Sequence, residues 1–334
     1  VILPKIAAPI ADPAAAEELI RAGASEFFCG IGSERYRYLS ARNYAAANLK
    51  DFDALKALTA AAAPHGVPVY LCVNSYINCR DVQGEVLERA AACGVAGFIL
   101  ADAALIPGVK AACPGARIVL STLAVCMNSQ GLEFYAGQGV RRVVLERQHT
   151  LAEALALGRT AARLGLELEL FVKNLTCTNI NGTCLFHGLA GDRAVFERGA
   201  GGGAAPCANP KNNAPCRRDH SITFFRRDGG GGISSMDSGE SPENRPEFLY
   251  CGACMLYLLA EAAPAAVKIV GRNFPPKRIL RDVAFVRKYL DLLAAGALNG
   301  ANYTAEGRRL HREFYGRDCS AEECYYFEPR KARD

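Results

Sequence analysis

Residues 141–173 read RRVVLERQHTLAEALALGRTAARLGLELELFVK, and this stretch decides the fold class. Arg142–Glu146 and Glu167–Val172 are short strand-like runs of valine, leucine and phenylalanine among charged residues. Between them Leu151–Leu164 is rich in alanine and leucine, and Gly165 stands where a helix should stop. A strand, a helix and a second strand at this spacing form a parallel βαβ unit, because parallel neighbours need a crossover connection.

Outward from this unit the same alternation recurs. Strands are expected at Lys5–Ile10, Glu26–Ile31, Val67–Val73, Ala96–Ala101 and Arg117–Ser121, with helices such as Asp12–Arg21, Asp51–Ala63 and Gly84–Ala92 between them. Asp12 followed by Pro13 is a good helix start, an N-cap with proline at the first helical position. An eighth strand is expected at Val267–Val270, after a helix around Met255–Glu261 and before one at Arg278–Leu293. The pattern predicts a (β/α)8 TIM-type barrel over residues 1–297 and a C-terminal tail over 298–334. A doubly wound open sheet is the alternative, since sequence patterns do not report closure.

Half of the 334 residues are hydrophobic, enough for a large core. The net charge of +5 is too small to argue for a polyanionic partner. No apolar run reaches the ~18 residues of a membrane helix, so no membrane partner is expected. Val1–Ile10 lacks a signal-peptide pattern, and the expected location is cytoplasmic. In that compartment 14 cysteines point to metal or redox chemistry rather than to disulfides.

Their distribution is more informative. Residues 174–265, between the seventh and eighth strands, far exceed the ~2–6 residues usual for such a connection. This insert carries Cys177, Cys184, Cys207, Cys216, Cys251 and Cys254. Loops at the C-terminal ends of barrel strands are where barrel enzymes place their chemistry. An iron–sulfur cluster needs about four converging thiolates, whereas the pair Cys251-Gly-Ala-Cys254 would equally suit zinc or a redox dithiol. The lack of a Cys-x3-Cys-x2-Cys triplet argues against radical chemistry with S-adenosylmethionine. Cys29, Cys72, Cys93 and Cys113 read as buried small hydrophobes. For Cys319 and Cys324 in the tail, pairing, metal binding and no role all stay open.

Glu169-Leu-Phe171, a short spacer and Cys177-Thr-Asn-Ile-Asn-Gly182-Thr-Cys184 resemble the Glu-x-Phe and Cys-x4-Gly-x-Cys signature of the collagenase-like U-type peptidase family 32. The likeness continues at Ala8-Pro9 with Asp12, at Val143-Val-Leu-Glu-Arg147, at Pro215-Cys216-Arg217 and at Lys268-Ile-Val-Gly271-Arg272. There are departures. The acidic residue usual after the strand-six arginine is Gln148, and the second cysteine motif is stretched to Cys-x8-Cys. The resemblance implies a 4Fe-4S cluster held by Cys177, Cys184, Cys216 (or Cys207) and Cys251 (or Cys254). It also implies oxygen-independent hydroxylation, which better-understood relatives perform on RNA bases or ubiquinone precursors, with prephenate as the proposed oxygen source.

The expected function is therefore an iron–sulfur-dependent, oxygen-independent hydroxylase or related oxygen-transfer enzyme. Asp102, Arg147, Glu169 and Arg272 are the candidate catalytic residues, since all lie in or near strands that feed the barrel mouth. Arginines there suit a carboxylate-bearing donor such as prephenate. Only about forty residues follow Leu293, which favours a small-molecule substrate over RNA. A peptidase is the alternative, but the five histidines form no His-Glu-x-x-His motif and no serine sits in a Gly-x-Ser-x-Gly elbow. A non-catalytic partner subunit of a related chain is the third reading.

Overall fold

In a computed structural model, the chain is described at residues 3–33, 35, 36, 39, 47–74, 80–174, 180–183, 222–227, 233–238, 250–319 and 323–326. Six βα units come first: β1 (Lys5–Pro9), α1 (Ala16–Arg21), β2 (Glu26–Cys29), α2 (Phe52–Ala62), β3 (Val69–Val73), α3 (Arg80–Ala92), β4 (Gly97–Leu100), α4 (Ile106–Ala112), β5 (Arg117–Leu120), α5 (Ser129–Gly137), β6 (Arg142–Val144) and α6 (Leu151–Leu164). Strand β7 (Glu167–Lys173) leads into the insert, where β8 (Ile222–Arg227) and β9 (Ile233–Ser238) form an antiparallel hairpin. After a short helix, α7 (Leu256–Leu259), come β10 (Ala266–Ile269), α8 (Pro276–Ala294) and α9 (Tyr303–Tyr315).

Eight parallel strands close in the order β1-β10-β7-β6-β5-β4-β3-β2. The predicted barrel is correct, and the open-sheet alternative falls because β10 pairs with both β1 and β7. Boundaries move by small steps. The third strand begins at Val69 rather than Val67, since Pro68 has no N–H for the ladder. Asp12 caps as expected, accepting from the Ala14 amide at 3.0 Å. Helix α8 shows why the pattern folds this way: Ile279, Val283, Val286, Leu290 and Leu293 recur along one face and are buried. Each such side chain contributes roughly 1.5–3 kcal/mol.

The lower barrel is filled by charge rather than by aliphatic side chains alone. Arg142 donates to Glu26 (2.5 and 3.0 Å) and to Glu169 (3.3 Å), and Lys268 donates to the other Glu169 oxygen at 2.5 Å. All four residues are buried. Burial alone would raise the Glu169 carboxyl, but Lys268 and Arg142 overcome it and hold it below the usual carboxylate range. Glu169 is thus tied into an ion-pair chain linking β2, β6, β7 and β10. The glutamate of the Glu-x-Phe motif acts first as a strut of the barrel.

Candidate metal and substrate site at the barrel mouth

The first cysteine segment is anchored to the strand ends through its middle. Asn181–Thr183 form one 3-10 turn against the turn Thr122–Ala124 that follows β5. Asn181 Nδ2 donates to Thr122 Oγ1 at 3.2 Å, and Arg147 Nη1 donates to Asn181 Oδ1 at 3.4 Å. The Arg147 guanidinium also lies over the Phe171 ring, 4.6 Å from its centroid. At Gly182 a Cβ would run into the Leu123 carbonyl oxygen and Val125 Cγ2. Only glycine allows that approach of backbone to backbone. This explains the glycine of the Cys-x4-Gly-x-Cys motif and one role of Arg147. Cys177 and Cys184 flank the turn in sequence but lie outside the described residues, as do Cys207 and Cys216.

The second cysteine segment is clipped to the end of β7. The Gly252 amide donates to the Val172 carbonyl and the Asn174 amide to the Tyr250 carbonyl, both at 2.8 Å. On the other side of Cys251 runs the C-terminal tail: the Cys251 amide donates to Glu323 O at 2.8 Å, and the Tyr325 amide to Cys251 O at 3.1 Å. Tyr326 Oη donates to the Phe171 carbonyl at 2.9 Å, and Tyr325 Oη to the Asn174 carbonyl. Both rings are buried. The tail is therefore part of the barrel's own mouth, something its basic, tyrosine-bearing sequence did not specify.

The donor chemistry at Cys251 fits a thiolate-ligated group. Burial pushes its thiol up, and the adjacent Lys173 works against that by favouring the thiolate, while burial in turn lowers the pKa of Lys173 itself. Cys254 sits against α9. Its Cβ packs so close to α9 that a side chain at Gly307 would strike it. Cys319 and Cys324 come near enough to Cys251 and Cys254 for their charges to interact. Among the described residues, however, no three His, Cys, Asp or Glu side chains converge closely enough to hold a metal ion.

The four catalytic candidates take separate places. Asp102 caps the turn after β4, accepting from the Ala104 amide at 2.8 Å. Glu169 lies in the ion-pair chain. Arg147 holds the cysteine turn. Arg272 is buried, donates to Asn48 Oδ1 at 3.1 Å and lines a cavity of about 230 Å³ with Pro9, Ile10, Phe274 and Ile279. The wall also carries Asp12 and Asn48, so the guanidinium stands at the edge of a mostly apolar cavity with one carboxylate already on it.

One mouth residue escaped the sequence reading. Glu146 stands two residues beyond the end of β6, at the same parity as the inward Arg142. It is 3 % exposed, and among the described residues its carboxyl oxygens make no well-formed hydrogen bond, only the backbone amides of Arg147 and Asn181 approaching them. Burial pushes its pKa up to about 7, against the opposing pull of Arg147. Strand parity was the signal that could have found it.

The sequence profile of peptidase family U32 matches residues 11–334. The chain belongs to peptidase family U32. It is 23% identical over 241 residues to the tRNA hydroxylation protein P1 of Bacillus subtilis (strain 168), covering 71% of this chain and 53% of that protein. It is 30% identical over 243 residues to the tRNA hydroxylation protein P of Helicobacter pylori (strain J99), covering 71% and 54%. The chain thus spans about half the length of the curated relatives it matches. The solved U32 peptidase Mk0906 shares the fold, with a TM-score of 0.51 at 13% identity over 82% of this chain and 95% of that one. Among the described residues no helix is long and apolar enough to cross a membrane.

Proposed function

We propose that this U32 chain is the barrel of an iron–sulfur-dependent, oxygen-independent hydroxylase, or a related oxygen-transfer enzyme, acting on a small molecule or an RNA base. The observation that carries the reading is the convergence of two cysteine segments on one end of the barrel. The turn between Cys177 and Cys184 is bound to the ends of β5 and β6 through Thr122 and Arg147, and Cys251 is bound to the end of β7. The tRNA hydroxylation proteins among its relatives support the hydroxylase class.

In this reading Cys177, Cys184, Cys216 and Cys251 hold a 4Fe-4S cluster, with Cys207 and Cys254 as the alternates within their motifs. Such a cluster supplies electron transfer and, with one open iron position, a Lewis-acid site. The chain's own residues do the rest. Lys173 favours the thiolate of Cys251, and burial of Tyr325 and Tyr326 keeps water from the β7 side of the mouth. Arg272 binds the carboxylate of an oxygen donor such as prephenate in its apolar cavity. A peptidase would need a nucleophile beside a free base. Both ring nitrogens of the buried His149 instead face backbone carbonyls, Glu146 O at 3.0 Å and Met127 O at 3.1 Å.

The test is the visible spectrum with iron and sulfide content of anaerobically purified protein. The expected result is a coloured protein with four irons per chain, and loss of iron in Cys177→Ala and Cys251→Ala. Iron-free, colourless wild-type protein overturns the reading; full iron in both variants overturns the ligand set.

A further inference from the structure

The charges on the wall of the Arg272 cavity come from neighbouring strand ends. Pro9 ends β1 and Ile269 ends β10, and these strands pair, so Asp12 and Arg272 each stand three residues beyond one of them. Among the described residues that line the cavity, these two alone are charged. Arg272 is buried and Asp12 is exposed, so the cation lies deep and the anion at the opening. Ile10, Leu19, Phe274 and Ile279 supply the apolar wall.

Both charged groups are held in place. Gly271 has a φ of 113°, and a Cβ there would strike the Phe274 ring, so glycine is what lets Phe274 fold back beside Arg272. The Arg278 guanidinium lies 3.6 Å from the centroid of that ring. Arg272 is oriented by its bond to the buried Asn48, at 3.1 Å. Asp12 is oriented through Oδ1, which accepts the Ala14 amide at 3.0 Å as the cap of the turn after β1. Among the described residues Asp12 forms no salt bridge, so its charge faces the opening uncompensated. Helix α8 begins on the same wall at Pro276 and has no acidic residue in its first turn, so the positive end of its dipole adds to Arg272.

We propose that this cavity binds a small apolar amino acid, its carboxylate on Arg272, its ammonium on Asp12 and its side chain among Ile10, Leu19, Phe274 and Ile279. The inference rests on the reading of Arg272 as a carboxylate binder and adds the second charge. A ligand with a carboxylate alone gains Arg272 but brings a second anion toward Asp12, and like charges side by side oppose binding. A ligand with an ammonium alone meets Arg272 and the α8 dipole with the wrong sign. An amino acid pairs both wall charges and is itself neutral. The size agrees, since about 230 Å³ is below the ~300–1,000 Å³ of pockets for drug-sized ligands.

The experiment uses anaerobic holoprotein and three probes on one carbon skeleton: leucine, isocaproate, which lacks the ammonium, and isoamylamine, which lacks the carboxylate. Isothermal titration calorimetry measures each probe on wild type, Asp12→Asn and Arg272→Gln at pH 7. Asparagine caps as well as aspartate does, so Asp12→Asn removes the charge and keeps the turn. Leucine should bind wild type at least about tenfold more tightly than either analogue. In Asp12→Asn leucine should fall to the level of isocaproate, whose own binding should not weaken. In Arg272→Gln both carboxylates should lose their binding; if that variant does not fold, the wild-type and Asp12→Asn comparisons decide alone. Leucine that binds wild type no better than isocaproate, or that binds Asp12→Asn as tightly as wild type, overturns the inference. In that event isocaproate binding that is lost in Arg272→Gln leaves Arg272 standing as a carboxylate binder, whereas no binding of either carboxylate to wild type removes both readings of the cavity. Iron and sulfide assayed on the same samples test the cluster separately.

Discussion

Replacing Glu146 by glutamine should stabilise the protein at alkaline pH, the reverse of what most substitutions in a buried site do. The carboxyl titrates near about 7 in the fold against an ordinary 4.5, so the folded chain binds this proton more tightly than the unfolded one. Between those pH values the folded state holds more protons, and stability falls as pH rises. The stabilising contribution is complete below pH 4.5, declines through the interval and is gone above pH 7. At about 1.4 kcal/mol for each pH step the loss amounts to about 3 kcal/mol. Glutamine keeps the shape without the charge and removes that dependence. Urea unfolding of both proteins at several pH values from 5 to 8 measures the difference. Relative to wild type, the variant should gain about 2.5 kcal/mol between pH 5 and pH 8. A wild-type-minus-variant difference that does not change with pH would refute the argument, because it would mean the carboxyl is solvated or paired in solution.

Other outcomes follow from the same geometry. Gly182→Ala forces the cysteine turn away from Leu123 and Val125, with strain of about 1–3 kcal/mol; iron content should drop while far-ultraviolet circular dichroism keeps the barrel signal. Arg142→Met leaves Glu26 with only the half-exposed Lys5 and takes one of the two cations from Glu169, and unfolding free energy should fall by about 3–5 kcal/mol. Its loss should shrink toward low pH, since Glu169 is held below the usual range and its contribution disappears once it is protonated. Tyr326→Phe removes the bond to the Phe171 carbonyl at a cost of about 0.5–1.5 kcal/mol, and hydrogen exchange at residues 323–326 should quicken.

How much of this could be read in the chain itself varies with the range of the interaction. The strands and helices around Arg142–Val172 follow from local periodicity and helix-stop glycines, so their identity and order were legible. Closure was suggested by the number of units, but the pairing of β10 with β1 joins residues about 260 apart and no local pattern encodes it. The cysteine motifs were legible as spacing, and of them Cys251 and Cys254 lie among the described residues, Cys251 beside the end of β7. The chemistry-bearing residue types Asp102, Glu169 and Arg147 were also visible, but not what they do: a helix cap, a strut and an anchor are roles set by neighbours distant in sequence.

The sequence by itself determined the eight βα units, the long cysteine-bearing insert after β7 and membership of family U32, because periodicity and motif spacing are properties of short segments. Only the tertiary structure decided that the tail threads beside Cys251, that Gly182 is pressed on the Leu123 carbonyl and that the Glu146 carboxyl is buried. Each of these depends on which backbone lies against which, and whether a buried carboxyl is paired is a question about its neighbours in space.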